Sequence, residues 1–222
     1  MKSKLIRIME VEEKLKDIVV DGDLDLYSTF TEDCDVNINI NENCKLNFFA
    51  TYFGKISINI NIILEKNSEV KHTEVFVGKK DDNFQVNLNI VHKGESSKGD
   101  VLVKGILLDN SKSINYGKLI IEKGAKKTST FLAEHVLLLS KDAKANAVPS
   151  LEIEEDDVIA KHSASITQID ESKLFYLTSK GIDEDLAKSM IINGFFGDCF
   201  FRIENDELRE KYKTLVLGRW IK

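Results

Sequence analysis

Apolar and polar residues alternate with a period of two over most of the first 140 residues. The alternation begins at residue 23, and the later runs occupy residues 35–40, 45–50, 56–64, 69–77, 84–92, 100–108, 114–122 and 128–140. Such alternation places Ile, Val, Leu and Phe on one face of an extended chain and Asn, Asp, Thr and Lys on the other. The pattern therefore predicts a series of β-strands, each with one buried face and one face in water.

Short turns rich in Gly, Asn, Asp and Lys separate these strands, and their spacing is compatible with two architectures. Turn signals recur every ~8–12 residues, which favours a β-sandwich or a barrel. The sequence Asn-Ile-Asn-Ile at residues 37–40 and 59–62, with a similar Asn-Leu-Asn-Ile at 87–90, instead suggests the stacked coils of a parallel β-helix. The pattern alone leaves both architectures open.

The stretch after residue 142 continues the extended pattern with smaller side chains. Residues 143–148 and a short strand opened by Pro149 precede an acidic turn at residues 154–157. A second extended piece is predicted to end at His162, just before the helices begin. His162 is therefore expected at the junction between the two parts of the chain.

Helical periodicity begins near residue 170. The first predicted helix is capped by Asp170 and ended by Gly181, the second is capped by Asp183 and ends at residues 193–194, and an amphipathic last helix follows Asn205. Helices this short gain little stability alone, so their apolar faces are expected to pack on the strands or on a partner.

These patterns divide the chain into a strand-rich unit over residues 1–168 and a helical segment over residues 169–222. The first twenty residues place scattered apolar side chains among charges. They favour either a short amphipathic helix or a first strand.

Composition and motifs exclude several classes of function. The net charge of −6 provides no basic stripe for nucleic acid, no stretch resembles a membrane span or a signal peptide, and we expect a cytoplasmic protein. Cys34, Cys44 and Cys199 are too few and too scattered for a disulfide framework, so each is interpreted as a plain thiol. No nucleophile elbow, Walker loop or H-E-x-x-H motif is present, so any ATP hydrolysis is expected from a separate subunit.

A specific resemblance emerges from about residue 130 to residue 200. Between Pro149 and His162 the chain reads P-x-L-E-I-x-x-D-D-V-x-A-x-H, and residues 174–182 read L-F-Y-L-x-S-K-G-I before an acidic helix that ends N-G-F. This series resembles the C-terminal core of the SufB/SufD family, the scaffold subunits of SUF iron–sulfur cluster assembly. The resemblance implies a compact family member that is mainly β, with a right-handed parallel β-helix followed by a short α-helical segment.

The same resemblance implies partners and a transient cargo. The helical segment is expected to dock a SufC-like ABC ATPase, and the open edge of the last coil is expected to pair with a second scaffold copy, as a homodimer or a SufB/SufD-like heterodimer. The implied cargo is a transient iron–sulfur cluster. The apolar side chains expected at the ATPase contact are Leu174, Phe175, Tyr176, Leu186, Met190, Phe195 and Phe196.

Four residues are candidates for holding the cluster. His162 occupies the place where family members have a histidine implicated in cluster assembly. Glu134 and His135 fall where SufB-type sequences have an assembly cysteine, which is absent here. Because neighbours on a regular strand point to opposite faces, at most one of these two should line a given site. Glu152 has a weaker claim, since it lies on the polar side of its predicted strand.

Two other functions stay open at this point. A structural adaptor would hold the ATPase without a cluster site of its own. A polysaccharide-acting β-helix enzyme would need a groove of acidic residues, for which the turn at 154–157 provides weak support. His72 and His92 lie outside the resemblance and are interpreted as ordinary surface or strand residues.

Overall fold

The computed structural model describes residues 7–11 and 16–220, in which the alternating runs form strands and the last fifty residues form helices. The strands are β1 (Arg7–Val11), β2 (Asp17–Val20), β3 (Leu24–Phe30), β4 (Cys34–Ile40), β5 (Lys45–Tyr52), β6 (Lys55–Leu64), β7 (Glu69–Gly78), β8 (Asn83–His92), β9 (Lys98–Leu107), β10 (Lys112–Ile121), β11 (Ser129–Leu138), β12 (Lys144–Ile153) and β13 (Ile159–Gln168). The helices are α1 (Glu171–Ser179), α2 (Glu184–Phe201) and α3 (Asp206–Trp220).

Successive strands alternate between two parallel sheets. One sheet has seven strands in the order β1-β3-β5-β7-β9-β11-β13, and the other has six in the order β12-β10-β8-β6-β4-β2. Each strand pairs with the strand two positions away in sequence, so the chain winds as stacked coils with one strand per sheet. The β-helix interpretation is confirmed, and a sandwich or barrel of antiparallel strands is wrong because the pairings between the described strands are parallel.

The inward residues lie where the two-residue period predicts, but the prediction of one face in water is wrong for the seven-stranded sheet, because helices α2 and α3 also bury much of its outward face. The inward side chains of both sheets form one apolar core that includes Phe48, Ile60, Leu88 and Val101. On the outside of the six-stranded sheet, the repeated asparagines stack coil on coil, since Asn87 Nδ2 donates to Asn59 Oδ1 at 2.7 Å. In the repeated Asn-Ile motif, the isoleucines thus pack in the core and the asparagines hydrogen-bond on the outer face of the same strands.

Of the two alternatives for the first twenty residues, the strand is confirmed: residues 7–11 and 17–20 form strands, and residues 1–6 and 12–15 lie outside the described part of the chain. Two sequence predictions about the boundaries of elements are wrong. The residues before and after Pro149 form one strand, β12, which is an edge strand where the missing N–H of proline is tolerated. Strand β13 continues past His162 to Gln168 because its whole length pairs with β11.

The second helix is also longer than its sequence predicts. Helix α2 runs through residues 193–194 as far as Phe201. A glycine inside a helix costs about 1 kcal/mol, whereas burial of one phenylalanine contributes about 2–3 kcal/mol. Phe196 and Phe200 are both buried against the seven-stranded sheet, so packing outweighs the stop signal at Gly194.

Helices α2 and α3 cover the outer face of the seven-stranded sheet. Tyr27 and Phe49 project outward from the sheet into a second apolar cluster, where Phe49 contacts Phe200 and Tyr212. Arg202 adds an ion pair in which both carboxylate oxygens of Asp100 accept at 3.0 Å. No helix within residues 7–11 and 16–220 is long and apolar enough to cross a membrane.

Lys104 joins the sheet to α2. Its Nζ donates to the Phe195 carbonyl at 2.7 Å and to the two carboxylate oxygens of Asp198 at 2.6 and 2.9 Å, and it lies 5.0 Å from the centre of the Phe195 ring. We expect Lys104→Met to lower the free energy of unfolding by about 1 kcal/mol, because these charge-assisted bonds form with the lysine largely buried.

Chemical denaturation of both variants checks this expectation. Lys118→Met is the matched control, since its ion pair with Glu152 is exposed and should change stability by less than about 0.5 kcal/mol. Equal stability losses in the two variants would contradict a specific contribution from Lys104.

Candidate functional site

The last two strands of the seven-stranded sheet place the predicted site residues. In the ladder between β11 and β13, Leu132 pairs with His162, and Glu134 pairs with Ala164. Leu132 belongs to the inner core, and paired residues of parallel strands share a face, so Glu134 and His162 both lie on the inward face. They are two positions apart on neighbouring strands.

Glu134 is a buried carboxyl group inside the solenoid. Its side chain is 1% exposed, and its Oε1 lies 2.5 Å from the point that a Cβ at Gly117 of the opposite sheet would occupy. Because Gly117 has no Cβ, the Glu134 carboxyl group has room at this point. Desolvation by burial, with a smaller effect of the nearby Glu74, raises the pKa of Glu134 to about 8. At neutral pH the group is mainly the uncharged acid.

His135 faces the opposite side of the same strand, as predicted. Its Nδ1 lies 2.7 Å from the Ser165 hydroxyl of β13, and Lys104 is its ladder neighbour on β9. Burial, followed by repulsion from Lys104, lowers the pKa of His135, while Asp198 acts in the other direction. His135 therefore belongs to the surface beside α2 and does not share a site with Glu134.

His162 lies at the open end of the solenoid. Strand β13 pairs with β11 on one side, and no described strand pairs with its other side. The imidazole is exposed, and its inward-facing neighbours on β13 are the small residues Ala160 and Ala164. An accessible imidazole nitrogen at such an edge can ligate iron.

Glu152 lies apart from the other candidates. Its position on β12 pairs with Ile120, on the outward face of the six-stranded sheet, and it accepts a bond from Lys118 Nζ at 2.6 Å. In the neighbouring acidic turn, Glu155 accepts from the Gly124 amide at 3.1 Å. That hydrogen bond lowers the pKa of Glu155. Glu155 thus has a structural role in the turn, and Glu152 is paired with Lys118.

No complete metal site is present within the described residues, since no three His, Cys, Asp or Glu side chains are grouped to hold an ion. The thiol of Cys199 is fully buried between α2 and the sheet, and desolvation raises its pKa to about 12. On the inward face, the last coil therefore contributes the accessible imidazole of His162, and the buried acid Glu134 lies on the neighbouring strand β11.

Sequence reasoning missed a buried polar pair in the core. His72 is fully buried, with Nε2 at 2.8 Å from Glu74 Oε1 and Nδ1 at 3.1 Å from the Phe48 carbonyl. His92 is also fully buried, and desolvation lowers its pKa to about 4. Placing His72 and His92 on strands is correct, but neither is a surface residue. The two-residue period contained the signal, because both occupy inward positions.

The apolar candidates of the helical segment divide into two groups. Phe196 and Leu174 are buried, and Phe195 packs partly against the sheet side of α2. The exposed group is Phe175 at 73%, Tyr176 at 61%, Leu186 at 56% and Met190 at 47% of full exposure. An open cleft of about 430 Å³ between α1 and α2 is lined mainly by Tyr176, Leu177, Met190 and Ile191.

Comparison with known sequences decides the family. The model of the SUF system FeS cluster assembly, SufBD core domain, matches residues 31–195, from the turn between β3 and β4 into α2. The chain belongs to the SufBD core family. The match includes the strand-rich part, where the motifs had given compatible patterning but no resemblance.

Relatives within this family are named for iron–sulfur cluster assembly. The SufD protein of Bacillus subtilis is 39% identical over 142 residues, which are 64% of this chain and 32% of the relative. A SufBD family protein of Mycobacterium tuberculosis is 33% identical over 137 residues, or 58% and 34% of the two chains. One from Pyrococcus horikoshii is 34% identical over 130 residues, or 59% and 29%. The chain thus spans about a third of the length of these relatives.

Proposed function

We propose that this chain is a scaffold subunit of a SUF-type iron–sulfur cluster assembly complex in the cytoplasm. It docks a SufC-like ABC ATPase through α1 and the first half of α2, pairs with a second scaffold copy through its last coil, and holds a growing cluster as cargo at His162. The single observation that carries the proposal is the accessible, inward-facing His162 at the open end of a SufBD-family solenoid.

The ATPase contact is assigned to the exposed group of the helical segment. Tyr176 and Met190 line the cleft between the helices, and Phe175 and Leu186 are exposed on the same two helices. Monomeric proteins rarely leave several large apolar side chains together in water, and such patches mark interaction sites. Leu174 and Phe196 are buried, so they are assigned to packing of the helices and not to contact with the ATPase.

The second scaffold copy is assigned to the last coil. Strands β12 and β13 each present one edge that no described strand covers, and Ile153, Ile159 and Ile166 are exposed there. Uncovered parallel strand edges bind further strands readily. A second copy placed at this edge would bring its own ligands next to His162, where the described residues of one chain group no three metal-ligating side chains.

The proposed cluster site is tested by anaerobic reconstitution of the chain together with the ATPase from its own source. We expect His162→Ala to lower cluster formation about tenfold, since loss of a ligand-sphere residue typically costs 10–100-fold. Lys161→Ala is the matched control, because it changes the adjacent, outward-facing residue of β13.

The outcomes separate the candidate functions. Unchanged cluster formation in His162→Ala would contradict the site, and loss of ATPase binding in the same variant would show that the helical surface had been disturbed. The adaptor function predicts that the unmodified chain and the His162→Ala variant both bind the ATPase and that neither forms a cluster. The polysaccharide-acting enzyme finds no support in the turn at 154–157, where Glu155 is engaged by the Gly124 amide.

A further inference from the structure

One side of α2 stays exposed along almost the whole helix. It carries large apolar side chains toward both ends and glycines in the middle, spaced three or four residues apart so that they share one side of the helix: Leu186, Met190, Gly194, Gly197 and Phe201. We call this set the α2 stripe. Its three large side chains are exposed, and Phe201 is the most exposed large apolar side chain of the described residues.

The two glycines of the α2 stripe are not required by packing within the chain. Apart from the adjoining residues and the backbone of the helix itself, no described atom lies within 4 Å of the point that a Cβ at Gly194 or Gly197 would occupy. A glycine inside a helix destabilises it relative to alanine, but it allows another backbone to approach closely. The middle of the α2 stripe therefore has room for a second helix at a short interaxial distance.

The order of large and small residues in the α2 stripe is self-complementary. In an antiparallel pair centred midway between the two glycines, Met190 lies opposite Phe201 of the second copy, and Gly194 lies opposite Gly197. Each large apolar side chain then meets another, and the glycines meet where the two backbones are closest. Such a contact is isologous, because both copies use the same surface.

The charges of α2 favour the antiparallel direction. Glu184 and Asp185 lie in the first turn, so a parallel pair would place four carboxylates side by side, whereas an antiparallel pair separates them to opposite ends. Opposed macrodipoles act in the same sense. The antiparallel pair also places the Asn193 amide, which can donate, opposite the Asp198 carboxylate, which accepts.

We propose that the α2 stripe is a self-association surface, which binds the α2 stripe of a second copy of this chain as an antiparallel helix pair. The stripe is about 22 Å long, so the contact is small and depends on protein concentration. It is separate from the strand edge of the last coil. It shares Leu186 and Met190 with the surface assigned to the ATPase, whereas both glycines and Phe201 belong to it alone. Because the contact is weak, dilute protein remains free to bind the ATPase.

Sedimentation velocity of the whole chain without the ATPase, from about 5 to about 500 μM, tests the proposal. We expect an association step that Phe201→Ser weakens about tenfold or more, because the symmetry removes an apolar anchor from both copies. Gly194→Gln should weaken it comparably, since the new side chain separates the helices. Gly218→Gln is the matched control, because this exposed glycine of α3 has equally open surroundings. Tyr176→Ser, which changes only the ATPase cleft, should also retain the step.

Two results would overturn the proposal. One is a chain whose molecular mass does not change over the whole concentration range. The other is an association step that has the same strength in Phe201→Ser and Gly194→Gln as in the unmodified chain, which would assign the pairing to the strand edge. Pairing through the last coil gives a step that neither variant changes, so the result for the α2 stripe does not depend on the proposed function.

Discussion

Replacing Tyr176 and Met190 together by serine is expected to weaken binding of the SufC-like ATPase about 100-fold. Both side chains line the cleft between α1 and α2, and both are about half exposed or more. Truncating central apolar anchors typically removes 2 kcal/mol or more of binding free energy. The fold should be unaffected, because neither side chain belongs to the buried clusters. Titration calorimetry with the purified ATPase measures the change.

Phe201→Ser is the matched control for this experiment. Phe201 is 80% exposed at the far end of α2, outside the cleft, and its replacement should change affinity less than twofold by rough estimate. If the cleft variant and Phe201→Ser lost the same affinity for the ATPase, binding would depend on exposed apolar side chains in general. That result would contradict a specific contact at the cleft. Deleting the whole segment is less informative, because it would also uncover Tyr27 and Phe49 of the sheet.

The second large effect is expected in the pH dependence of stability. The pKa of Glu134 is about 8 in the folded protein and takes its ordinary value of 4.5 when unfolded, so folding retains a proton. The resulting stabilisation is complete below pH 4.5 and is lost as pH rises through 8. His92 acts oppositely, because its folded pKa of about 4 lies below the ordinary 6.5 and its contribution is lost as pH falls.

Between pH 6.5 and 8 the contribution of His92 changes little, so the contribution of Glu134 dominates the pH dependence of stability. We expect the free energy of unfolding to fall by about 1.5 kcal/mol across this window, because unfolded His92 becomes mainly neutral just above pH 6.5, whereas Glu134 is ionised in the unfolded chain and stays mainly protonated in the folded chain until the pH approaches 8. Inside the solenoid, Glu74 also acts on Glu134 electrostatically; its Oε1 lies 2.8 Å from His72 Nε2, and both glutamates act on the buried hydroxyl of Tyr52.

Urea denaturation at several pH values measures this dependence. Glu134→Gln should make stability nearly independent of pH over the window, since the amide carries no proton equilibrium. Glu152→Gln removes a carboxylate that is exposed on the outer face and should keep the unmodified slope. A Glu134→Gln variant with that same slope would show that another group titrates there.

The sequence predicted the strands well because each coil buries one side of each strand. Ile60 and Leu88 point inward for the same reason that Asn59 and Asn87 point outward, and a period of two records both. The two-residue period does not distinguish parallel from antiparallel pairing. The prediction of parallel strands came from the family resemblance. The structure and the family match confirm that inference.

The missed features depend on contacts between distant parts of the chain. Gly194 reads locally as a stop, but burial of Phe196 and Phe200 against strands that lie far from them in sequence, where Phe200 contacts Phe49, carries the helix onward. The two-residue period places His72 and Glu74 on the inward face, but the groups that bury them, such as the Phe48 carbonyl beside His72, come from neighbouring coils. Local patterns identify the face of a strand and do not identify such partners.

The candidate site was predicted in part. The opposite directions of Glu134 and His135 followed from strand geometry alone and are confirmed. The separation of Glu152 from His162 could not be foreseen, because it requires knowing that β12 and β13 belong to different sheets. The roles of these residues toward a cluster remain predictions.

The central claim is most directly tested by co-purifying this chain with the ABC ATPases of its own source under anaerobic conditions, then adding ATP, iron and a sulfide source. The account predicts a stable complex that the Tyr176→Ser, Met190→Ser variant does not form, and a cluster whose yield depends on His162. A chain that binds none of these ATPases, or a complex whose cluster yield is the same without His162, would contradict it.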